Sequence, residues 1–88
     1  MSTIASASFI ATAQTSVVFG RTITNAEVDQ LNAVRAAAIT AGRQCSQAVN
    51  TDGTNVTYWA SSDDANSYAA IANSLSPAPT TACTVTAI

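Results

Sequence analysis

The sequence has no histidine and no lysine, and its only cations are Arg21, Arg35 and Arg43. Histidine is the commonest general base and nitrogen ligand, so its absence weighs against acid–base catalysis and a metal centre. Three cations face five carboxylates, Glu27, Asp29, Asp52, Asp63 and Asp64, for a net charge of −2. No basic stripe is left to neutralise phosphates, which argues against a nucleic-acid binder. Glycine occurs only at positions 20, 42 and 53, so there is no glycine-rich phosphate loop. No serine stands in a GxSxG elbow. Nothing approaches the roughly 20 apolar residues of a membrane span. Met1-Ser2-Thr3-Ile4-Ala5 has no cationic start and no sustained apolar run, so a secretory signal is not expected. The two cysteines, Cys45 and Cys83, match no zinc or redox spacing. The expectation is a chain with no catalytic residues, no cofactor and no metal.

What remains is unusual. Ala, Ser and Thr fill 42 of the 88 positions. Apolar residues make up 48% and charged residues 9%, where a globular protein carries roughly 25% charged. The length allows one small domain with a thin core. So little charge suits a domain that packs against other protein.

Local signals divide the chain into alternating elements. A helix is expected from Asn25 to Ala41. Thr24 is its natural N-cap, and Glu27 completes a capping box. Gly42 follows as a left-handed C-terminal cap, with Arg43 beyond it favourable for the helix dipole. Val28, Leu31, Val34, Ala38 and Ala41 share one face. A second helix is expected from Asp63 to Leu75, with Ser61 and Asp64 repeating the capping pattern. Ser76-Pro77-Ala78-Pro79 stops it. Strands are expected at Ser16–Ile23, Gln44–Val49, Asn55–Ala60 and Thr81–Ile88. The middle two flank Asp52-Gly53, a hairpin signal.

The order is βαββαβ. It resembles the ferredoxin-like fold: an α+β two-layer sandwich, with two helices on one face of an antiparallel sheet. Residues 16–88 form this domain. Met1 to Thr15 precede it as an extra strand or an extended arm tied down by neighbouring subunits.

Each candidate residue has a plain reading and a sharper one. Asp63 and Asp64 suit a helix N-terminus before they suit a metal. Arg35 falls between Val28 and Leu31 inside the apolar arc. Either its stem lies along the core edge while its head reaches water, or it binds a partner. Tyr58 and Trp59 are adjacent in a strand, so one of them faces away from the helices as an interface candidate. Val18 shares that open face with several threonines. Ile4, Phe9 and Ile10 are the bulky residues of the arm. In a 4-1-3-2 sheet Cys45 and Cys83 lie on opposite edges, about three steps of 4.8 Å apart, too far to bond within one chain. They are then buried thiols, or they pair between subunits.

The uncharged arm, the Ala/Ser/Thr-rich composition and the compact α+β unit together resemble small bacteriophage virion structural proteins. That resemblance implies a non-enzymatic assembly subunit in a virion, as capsid decoration or cement or as a tail or neck accessory. Its partners would be proteins, in a homo-oligomer or larger assembly, with no nucleic acid and no membrane. Outside a virion the expected location is cytoplasmic. The competing reading is a protease-inhibitor or propeptide-like module, or a regulatory ligand-binding module, of the same topology. The strand-like C-terminus and the lack of a glycine-rich or charged loop count against it.

Overall fold

In the computed structural model, which describes residues 9–88, six elements follow the expected order. They are β1 (Ala13–Val18), α1 (Asn25–Thr40), β2 (Cys45–Val49), β3 (Asn55–Trp59), α2 (Ser62–Asn73) and β4 (Thr81–Ala87). The strands form one sheet in the order β2-β3-β1-β4, with every neighbouring pair antiparallel. Read from the other edge this is 4-1-3-2. The two helices pack against each other over one face, giving a two-layer α+β sandwich.

Local chemistry sets the limits of α1. Thr24 Oγ1 accepts from the Glu27 amide at 3.2 Å, and the Thr24 amide donates to Glu27 Oε1 at 2.8 Å. This is the expected capping box. At the other end Gly42 has a φ of +83°. Its amide donates to the Ile39 carbonyl, and that of Arg43 to the Ala38 carbonyl. Together these bonds form a Schellman motif, which satisfies carbonyls the helix leaves open. The β2–β3 hairpin closes as its Asp-Gly pair suggests. Gly53 is left-handed, and Asp52 Oδ1 accepts from the Thr54 amide at 2.9 Å.

Two boundaries differ from the sequence reading. β1 runs from Ala13 to Val18 rather than from Ser16 to Ile23. Its inward residues are Ala13, Thr15 and Val17, of which only Val17 is a bulky hydrophobe. Gly20, at a φ of +73°, then turns the chain, and a Cβ there would overlap Thr80 Oγ1. Arg21 to Ile23 therefore lead into α1 instead of prolonging the strand. Residues 13–15, assigned above to the arm, belong to the sheet. The second helix starts at Ser62 and ends at Asn73, and Ser61 makes no side-chain cap. Asp64 completes no capping box because Arg43 takes its carboxylate, through Nε at 2.7 Å and Nη2 at 3.0 Å. A two-pronged, charge-assisted pair outweighs one bond to an amide.

The core lies between the layers. Trp59, Ala38, Ala65 and Ala72 are fully buried, with Tyr68, Leu31, Phe19 and Leu75 around them. Alanine on both helices lets the layers approach closely around the one tryptophan. On β4 the pairing with β1 is irregular between Ser16 and Val18. There the Asn73 side chain pairs with the backbone of Cys83, accepting from its amide at 2.8 Å and donating to its carbonyl at 3.0 Å.

Thr24→Ala is expected to cost about 1 kcal/mol in urea unfolding, the usual price of a lost N-cap. Arg21 donates to both Glu27 carboxylate oxygens, at 2.9 and 2.8 Å. With the Thr24 amide this holds the Glu27 pKa down to about 2, against an ordinary 4.5. The stabilisation is complete above pH 4.5 and is lost as pH falls toward 2. Stability measured across that window should fall less steeply in Glu27→Gln than in the parent chain.

Candidate functional site

Strand alternation gives the sheet two unlike faces. Thr15 pairs with Thr57, and Ala13 with Trp59, so these residues turn toward the helices. Gln14, Ser16 and Val18 of β1 turn the other way, as do Val56 and Tyr58 of β3. Ser46 and Ala48 of β2 and Thr84 and Thr86 of β4 complete that second face. Among the described residues no helix or strand covers it, although Val56 on it is buried, and none of these nine side chains is charged. Tyr58 stands on it 39% exposed, while Trp59 is 0% exposed. Of the two aromatics offered as interface anchors, Tyr58 is thus the exposed one. Trp59 is a core residue, because the strand period puts it opposite α2.

The edges of the sheet are also uncharged. β2 (CSQAV) and β4 (TACTVTA) contain neither a charge nor a proline. Val49 on β2 is 63% exposed and Val85 on β4 is 37% exposed. Natural sheets usually protect such edges with charges, prolines or covering elements.

Arg35 is half-buried, and most of its head is engaged within the fold. It lies over the Tyr68 ring, with Cζ 4.7 Å from the centroid. Nη2 donates to Tyr68 Oη at 2.9 Å and Thr57 Oγ1 at 3.2 Å, and Nη1 donates to Asn32 Oδ1 at 2.7 Å. Tyr68 in turn tilts against Trp59, with ring centroids 5.4 Å apart. Trp59 Nε1 donates to Thr15 Oγ1 at 2.9 Å. Burial raises the Tyr68 pKa, opposed by the nearby guanidinium.

A half-open cleft of about 160 Å³ runs beside Arg35, between α1 and the inner face of the sheet. Phe19, Ile23, Val28 and Leu31 form its apolar wall, and Gln47 and Asn55 lie on its sheet side. Gln47 and Asn55 are inward residues of β2 and β3 near this end of the sheet. The sequence reading missed the cleft; the one signal was Gln47 and Asn55 at inward strand positions.

The remaining candidates are scattered. Ile4 lies outside the described residues. Phe9 is half-buried, Ile10 is 85% exposed, and Val18 is half-buried on the open face. Cys45 and Cys83 are buried, unpaired and on the two opposite edge strands. Burial pushes both thiols up, Cys83 to about 11. Asp63 is exposed at the start of α2. Among the described residues no three histidine, cysteine or acidic side chains converge on a metal position. Among the described residues no helix is long and apolar enough to cross a membrane.

Trp59→Ala should cost about 3–5 kcal/mol, as for other buried aromatics, whereas Tyr58→Ala should stay within about 0.5 kcal/mol. Equal losses on denaturation would contradict the assignment of faces. In the folded chain at pH 8 neither thiol should react with a thiol-specific reagent, and both should react in denaturant. No protein-family model, no curated protein and no solved structure matches this chain.

Proposed function

We propose that the chain is a non-enzymatic structural protein that works through protein–protein contact, with the uncovered sheet face as its contact surface. The observation that carries this reading is the absence of any charged side chain on that face, where Tyr58 is 39% exposed. Uncharged, aromatic-bearing surface is what the centre of an interface requires. The unprotected β2 and β4 edges support the same reading, since assembly covers edges that nothing in the chain covers. A chain with 9% charged residues favours permanent contact with its own copies over repeated release into solvent. With the Ala/Ser/Thr-rich composition, this supports a place in a bacteriophage virion, as capsid decoration or cement or as a tail or neck accessory.

Light scattering across a concentration series tests the reading. The parent chain should show a molar mass above the 8.9 kDa of one chain, with and without reductant. Tyr58→Lys should return it to the monomer with little change in melting temperature, because the residue it replaces is exposed. A parent chain that stays monomeric at every concentration would remove self-assembly from the proposal.

A further inference from the structure

The cleft beside α1 contains the one arginine that has no carboxylate partner among the described residues. Arg21 and Arg43 are each matched by two hydrogen bonds to an acid, Glu27 and Asp64. Arg35 instead donates to three neutral oxygens, on Asn32, Thr57 and Tyr68. A guanidinium has five N–H groups to place. Arg35 Nε is buried and has no partner among the described residues. A partly buried charge held only by neutral acceptors is incompletely compensated, so an anion brought against it is favoured.

The adjoining space suits one kind of anion. The cleft measures about 160 Å³. A cavity of about 150 Å³ is known to hold a benzene ring. Phe19, Val28 and Leu31 offer an apolar wall for such a body. Gln47 and Asn55 bring amide groups to the same space, joined to each other by a 3.3 Å hydrogen bond. No carboxylate of the chain lines the cleft, so nothing repels an incoming acid.

We propose that this cleft binds a small organic monocarboxylate, its acid group at Arg35 and its aromatic or branched apolar body against Phe19, Val28 and Leu31. The cleft lies on the helix side of the sheet, away from the contact face. Its occupancy therefore does not require contact through that face.

Benzoate titrated into the ¹⁵N-labelled chain provides the test. Saturable shifts are expected at the Arg35 Nε–H and the Gln47 and Asn55 side-chain amides. Benzamide, the neutral isostere, should bind at least about ten-fold more weakly, because the charged donor loses its charged acceptor. Gln47→Glu places an acid in the cleft at an exposed strand position, so the fold is kept. This variant should lose at least about ten-fold in benzoate affinity, since its own carboxylate competes for Arg35. With benzoate and benzamide, four results would each overturn the proposal. One is no saturation by about 20 mM benzoate, beyond the millimolar range of a weak site. The others are equal binding of benzamide, unchanged binding by Gln47→Glu, and shifts confined to another surface. A short peptide with a free C-terminal carboxylate is larger than the cleft and should bind more weakly than benzoate; tighter binding would reject the small-acid assignment.

Discussion

The Arg35 guanidinium closes a ring of contacts that joins both helices to the two central strands. It lies over Tyr68, Tyr68 leans on Trp59, and Trp59 donates to Thr15. Thr15 Oγ1 approaches the Thr57 carbonyl at 3.5 Å, and Thr57 Oγ1 accepts from Arg35. Every member must face the helix layer for the ring to close. A slip of one residue between β1 and β3 would send Trp59 to the other face and leave its N–H without Thr15. In a chain whose other buried residues are mostly small, this ring supplies much of the directional information in the core. Polar groups in such a ring polarise one another, so the loss of one weakens the rest.

The other two cations act on the loops. Arg21 joins the β1–α1 connection to the α2–β4 connection, through Glu27 and the Pro77 carbonyl at 2.9 Å. Arg43 joins the α1–β2 connection to the first turn of α2 through Asp64. All three arginines thus serve the helix side of the molecule. The charge-free character of the opposite face is the counterpart of that distribution. With three cations in the whole chain, using each to fix the helix layer leaves none for the second surface.

Features set by neighbouring residues were legible in the sequence. The Thr24–Glu27 box, the Gly42 cap and the Asp52-Gly53 hairpin depend on side chains within a few positions of one another, and each formed as read. The sheet order was expected only through the resemblance of the βαββαβ order to the ferredoxin-like fold. Features set by distant partners were not legible. Asp64 resembled a capping residue until Arg43, 21 positions earlier, took its carboxylate. Helical periodicity placed Arg35 in the apolar arc, but its partner Tyr68 lies 33 positions away. The start of β1 was hidden because alanine and threonine fill its inward positions, and neither signals burial. For the open face, alternation showed that Tyr58 and Trp59 must separate; the choice between them rested on contact with α2.

The two uncharged edges also run in opposite directions. β1 and β2 point one way, while β3 and β4 point the other. A second copy shifted sideways in the same orientation would lay its β2 beside β4 of the first, and that junction is antiparallel like every pairing within the chain. The helix layers would continue on one side and the bare faces on the other. Such a junction is head-to-tail and has no built-in stopping point, so repeating it produces a ribbon of unlimited length. The strand polarity of this small sheet is therefore already that of a polymer repeat, and a closed assembly must obtain its closure from the twist between neighbours.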